Sequence, residues 1–141
     1  MIIRWPDKIK QGIISDHISA FRDMMPTFAE LVGVGVESPK GIDGVSLLPT
    51  LLDKPAKQKE HKYLYWEFTE RDGSQAIRMG PWKAIRLNVS ENRNAPIQLF
   101  HLENDIGETK NIASENPALI AKLEMLFAKA RTESEIFKLF K

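Results

Sequence analysis

The chain has no cysteine, which excludes a disulfide framework and zinc–thiolate centres without fixing the compartment. Charge of neither sign predominates: 20 Lys and Arg stand against 19 Asp and Glu, so no net field draws nucleic acid or an anionic membrane. The densest basic run, Lys54 to Lys62, is broken by Gln, Glu and His and reads as a solvated linker. No apolar run approaches the roughly 20 residues that a membrane-spanning helix requires. Met1-Ile2-Ile3-Arg4-Trp5-Pro6 lacks the apolar core and cleavage site of a signal peptide. His17, His61 and His101 are far apart with no i, i+4 pair, so no metal site is expected.

What is present is concentrated after residue 60. Tyr63–Phe68, Gln75–Met79 and Trp82–Asn88 are β-rich runs punctuated by Asp72-Gly73 and Gly80-Pro81, the pattern of an antiparallel meander. A fourth run, Ile97–Leu102, leads into Asp105-Ile106-Gly107-Glu108-Thr109-Lys110-Asn111-Ile112-Ala113. Alternation puts Leu64, Trp66 and Phe68 on one face of the first strand, assigned to the core, and Tyr63, Tyr65 and Glu67 on the other. By the same rule His101 is expected on the solvent side. Asn116 is expected to cap a helix beginning at Pro117. Its stripe of Leu119, Ile120, Leu123, Leu126, Phe127 and Ala130 is to pack on the sheet.

The chain divides near residue 55, into parts 1–55 and 56–141. In the first part Ile2-Ile3 reads as the middle of a strand, the mark of a truncated start, and Ile13-Ile14 as a short strand or turn. A helical pattern then sets Phe21, Met25, Phe28, Leu31 and Val32 on one face. Pro26 marks a kink or a first turn, and Gly33 the stop. A loop follows through Gly44, and Ser46 is placed to cap one short turn through Leu52.

Several of these pieces together resemble the sulfatases, the formylglycine-dependent sulfuric ester hydrolases of the alkaline phosphatase superfamily. They are Ile2-Ile3-Arg4-Trp5-Pro6, the helix Asp23-Met24-Met25-Pro26-Thr27, the linker Asp43-Gly44-Val45-Ser46-Leu47-Leu48-Pro49, the Tyr65-Trp66-Glu67 strand, the Arg78-Met79-Gly80-Pro81-Trp82-Lys83 hairpin and the Asp105–Ala113 turn. The likeness covers the whole chain and the last part of a sulfatase only. It departs at Ile106, where the family usually has proline, and at Pro81, often an aspartate. It implies an α+β fold: a four-stranded antiparallel sheet packed by a C-terminal helix, preceded by an end piece of the sulfatase α/β core.

The same resemblance implies a parent enzyme, arylsulfatase-like, that hydrolyses sulfate esters of a glycan, with calcium and formylglycine. Sulfatases make formylglycine from the first residue of a Cys/Ser-x-Pro-x-Arg motif, and no serine here begins one. The paired aspartates of the calcium site are also missing, since no two aspartates are adjacent and Asn104-Asp105 stands in reversed order. Catalytic and metal residues would lie in an upstream core, and this part alone is expected to be inert. Its contribution to substrate binding would come from Glu67, Arg78, Lys83 and Arg86, a guanidinium fork suiting a sulfated ligand. Their alternative reading is a structural ion-pair ladder in which Glu67 meets Arg78 across the strands. Expected partners are the upstream core, a sulfated substrate and, through exposed apolar surface at the front, a second copy of the chain. The resemblance to bacterial glycan sulfatases suggests export or a periplasmic site. The alternatives are a non-catalytic binding module and a fragment of a related phosphodiesterase.

Overall fold

The computed structural model describes residues 1–34 and 42–140, and the part of the expected loop at 35–41 lies outside them. Two compact units divide the chain, Met1–His61 and Lys62–Lys141.

The second unit is a meander of β1 (Leu64–Phe68), β2 (Ser74–Met79), β3 (Trp82–Leu87) and β4 (Ile97–His101), in the order β1-β2-β3-β4 with every pair antiparallel. Gly80, at φ 57°, makes the tight β2–β3 turn that sets Met79 opposite Trp82. Gly73, at φ 70°, admits the loop after β3: a Cβ there would come within 2.6 Å of Ser90 Oγ. After the fourth strand, helix α3 spans Pro117–Ala130. Leu123 and Phe127 are fully buried with Ile77, Ala84, Ile97 and Leu99, while Leu119, Ile120 and Leu126 pack against that cluster. The apolar stripe therefore covers the sheet as its spacing predicts.

Which face it covers differs from expectation. Register places Tyr65, Ile77, Ala84 and Leu99 in one row, and this is the row under the helix. Trp66 and Phe68 lie on the opposite face, 43% and 55% exposed. A period of two separates the faces without choosing the buried one. On the covered face the Glu67 carboxylate is met by Tyr65 and Arg131. His101, on the same inner face, packs edge-on against Trp82 with ring centroids 4.5 Å apart instead of facing solvent. Asn116 also differs: it makes no side-chain cap, and its Nδ2 donates back to Ile112 O at 3.0 Å.

The first unit carries α1 (Met24–Leu31) and the short α2 (Leu48–Leu51). Pro26 sits in the first turn of α1, where its missing N–H is not needed, and Gly33 (φ 73°) follows the last turn. Ser46 Oγ accepts from Leu48 N at 3.2 Å and opens α2. No strand forms among residues 1–20; Ile2, Ile3 and Arg4 are unpaired, and a turn at Asp7 (φ 62°) closes on Trp5 O. The apolar face of α1 is the outer one: Phe21 is 92% exposed and Met25, Phe28 and Val32 more than half. Its buried face is Asp23, Pro26 and Thr27.

Candidate functional site

Asp23, with no exposed surface, is the hub of the first unit. Its carboxylate accepts from the backbone N–H groups of Ala20 (2.7 Å) and Val45 (2.8 Å) and is 2.8 Å from His61 Nε2. Thr27 Oγ1 donates to Asp23 O at 2.6 Å and accepts from Leu47 N at 2.8 Å. A buried carboxylate requires such donors, so the Asp-x-x-Pro-Thr spacing stations one helix face to hold the Val45–Leu47 linker. His61 falls in the run expected to be a solvated linker, yet its side chain is 8% exposed and paired with an acid 38 positions away. No local signal could have linked the two.

In the second unit the four candidate binding residues fall on two faces. Glu67 and Arg86 lie under α3. Glu67 accepts from Tyr65 OH at 2.7 Å, Tyr65 OH accepts from Gln75 Nε2 at 2.9 Å, and Arg131 Nε is 3.1 Å from the same carboxylate. Burial, and then the Glu67 carboxylate, push the Tyr65 phenol well above its usual value of 10.0, so it holds its proton. The Arg86 guanidinium lies 5.1 Å from the Phe127 ring centroid, and Nη1 donates to Arg93 O at 3.2 Å. Its desolvation lowers the pKa, against the pull of Glu124. These two residues are structural supports of the helix–sheet contact.

Arg78 and Lys83 face one another across β2 and β3 on the other side of the sheet. The expected Glu67–Arg78 pair therefore does not form: Arg78 stands opposite Leu64, and Glu67 opposite Gln75. Lys83 Nζ is engaged by Glu108 from the turn after β4. Arg78 Nε donates to Gly80 O at 3.3 Å, and among the described residues the guanidinium meets no carboxylate. Within that turn Asp105 accepts from Thr109 N, Thr109 Oγ1 and Lys110 N at 2.9–3.0 Å, the backbone bonds first among the causes that hold its carboxyl below the usual range. Asn111 Oδ1 accepts from Leu99 N and Ala113 N. The Asp105–Asn111 pattern fastens the turn to β4, and Glu108 fastens it to β3.

Of the four candidate binding residues, Arg78 is the one that offers a guanidinium fork without a carboxylate partner among the described residues. Among the described residues no group of three or more His, Cys, Asp or Glu is placed to hold a metal ion.

A family model described as N-sulphoglucosamine sulphohydrolase, C-terminal, matches residues 1–133. Arylsulfatase K of Danio rerio is 33% identical over 124 residues, 84% of this chain and 23% of that protein. The crystal structure of Ps i-CgsB matches with a TM-score of 0.74 at 30% identity, covering 96% of this chain and 28% of that one. BT4656, solved in complex with its substrate D-glucosamine-2-N,6-O-disulfate, matches with a TM-score of 0.70 at 28% identity over 91% of this chain and 27% of that one. The chain thus spans about a quarter of the length of the proteins it matches. With the motifs placed as scaffold and the meander-and-helix fold shared, the chain belongs to the sulfatase family, as part of its C-terminal region.

Proposed function

We propose that this chain is the closing part of an enzyme that hydrolyses sulfate esters of a glycan, its chemistry supplied by residues upstream of Met1. The observation that carries the reading is the match of residues 1–133 to the C-terminal part of a sulphohydrolase family. The likeness to BT4656, which takes a disulfated glucosamine, supports a sulfated sugar as the ligand class. The chain's own residues fit neither formylglycine nor calcium: no Cys/Ser-x-Pro-x-Arg precursor occurs, and the described residues hold no carboxylate cluster. In a whole sulfatase, those groups would provide the attack on sulfur and stabilise the sulfate oxygens.

The part left to this chain is positioning. Arg78 is the one candidate of the four with an uncommitted charge, since Glu67 and Arg86 hold the helix to the sheet and Lys83 is paired. It is the residue assigned to an anionic group of the ligand. The upstream core would also cover Ile2, Ile14, Phe21 and Phe28, whose exposure is costly in water.

The test is a longer protein read upstream in the same frame. Peptide mass mapping should find formylglycine at a Cys or Ser in a Cys/Ser-x-Pro-x-Arg motif. In that enzyme Arg78→Ala should raise KM for a sulfated disaccharide several-fold with little change in kcat. An open reading frame that begins at Met1, or an upstream region without the motif, overturns the proposal.

A further inference from the structure

Helix α3 ends at Ala130, and Arg131 leads out of it with extended angles (φ −84°, ψ 134°). Ser134 Oγ then accepts from Ile136 N and Phe137 N at 3.3 and 3.1 Å, which turns the chain back. Residues after 133 lie beyond the family match. A tail with no docking site would leave its apolar side chains in water, as Ile136 and Phe137 are, at 84% and 64% exposed. Leu139 is 1% exposed, apart from the main core cluster. The Phe140 ring lies against two guanidinium groups, its centroid 4.3 Å from Arg93 Cζ and 4.9 Å from Arg131 Cζ.

The two arginines are held differently: Arg93 by its backbone and Arg131 by its side chain. Arg93, in the loop between β3 and β4, accepts the Arg86 bond on its carbonyl. Arg131, its side chain 5% exposed, is paired with Glu67 of β1 and with Glu133. The Arg131 guanidinium, its N–H edge taken by carboxylates, still presents its flat face, as does the exposed Arg93, and an aromatic ring is a group that such faces accept.

We propose that Arg93 and Arg131 form a binding site for an aromatic residue preceded by a branched aliphatic one, and that the chain's own Leu139-Phe140 occupies it. The tail is an internal ligand that straps the end of α3 to the β3–β4 loop. It extends the structure past the family match, and it stands independently of any catalytic role.

Thermal unfolding and limited trypsin digestion of the full 141-residue chain test the assignment, with Leu139→Ala, Phe140→Ala, Phe140→Leu and Arg93→Ala as variants. Lys138, exposed in sequence with the strap, is the cleavage reporter. Leu139→Ala and Phe140→Ala should lower Tm by roughly 4–8 °C or more and speed cleavage at Lys138 at least several-fold. Phe140→Leu keeps apolar bulk without the π face, so it should fall between Phe140→Ala and the unaltered chain. Arg93→Ala should speed cleavage while changing Tm less. Equal cleavage rates and equal Tm in the unaltered chain, Leu139→Ala and Phe140→Ala would overturn the strap. A Phe140→Leu chain indistinguishable from the unaltered one would overturn the guanidinium–ring recognition.

Discussion

Truncating Phe127 to alanine is the perturbation with the largest effect derivable from the second unit. The side chain is 1% exposed at the centre of the helix–sheet cluster. It meets Tyr65 edge-on at 6.5 Å and lies under the Arg86 guanidinium at 5.1 Å. Removing a buried phenyl ring costs about 3–5 kcal/mol, the larger end applying where the cavity cannot collapse. Here the cavity floor is a hydrogen-bonded sheet, which yields little. That loss is a large part of the about 5–15 kcal/mol that holds a domain together. In urea, with an m-value of about 2 kcal/mol/M, the midpoint followed by far-UV circular dichroism should fall by about 1.5–2.5 M. Phe127→Leu retains most of the volume but not the ring contacts and should cost about 1–2 kcal/mol. A cycle pairing Phe127→Leu with Arg86→Met should return about 1 kcal/mol of coupling, the share of the cation–ring contact. A midpoint within about 0.3 M of the unaltered chain for Phe127→Ala would refute the packing described.

Other perturbations follow from the polar network and the exposed surface. The Tyr65 phenol is protonated in the folded chain well past its usual 10.0, whereas the unfolded chain releases the proton near that value. Stability is therefore full below about pH 10 and falls as pH rises towards the folded pKa, and Tyr65→Phe should flatten that fall in alkaline thermal melts. Thr27→Val leaves Leu47 N without its buried acceptor and should destabilise the first unit by about 1–3 kcal/mol, read by hydrogen exchange at Leu47 and its neighbours. The apolar faces at Ile2, Ile14, Phe21 and Phe28 should make the isolated chain self-associate; light scattering over a dilution series would show the mass falling, and a concentration-independent monomer would contradict this.

The strands and α3 were legible because each signal is local. Period-two runs, the Gly80-Pro81 turn, Pro117 at a helix start and the Leu119–Phe127 stripe each lie within a few residues of what they specify. What escaped depended on partners distant in sequence. Trp66, between Leu64 and Phe68, reads as core, yet α3 covers the other face, where Arg131, 64 positions after Glu67, meets its carboxylate. The apolar face of α1 is exposed, as expected without its upstream cover, but the packing of its other face escaped, since Asp23 and Thr27 find Val45, Leu47 and His61. A strand at Ile2–Trp5 needs a neighbour to pair with, and none stands beside it among the described residues. Of the four candidate binding residues, the sequence showed the chemistry of each but not the face, and register separates Arg78 and Lys83 from Glu67 and Arg86.

The central claim is that this part of a sulfatase positions but does not react. Sulfate release from an aryl sulfate and a sulfated disaccharide, measured with calcium for the purified 141-residue chain and for the protein read upstream in frame, tests it most directly. The account predicts no turnover by the chain above a mock purification, and turnover by the longer protein. Activity that stays with the 141-residue chain through further chromatography would contradict it.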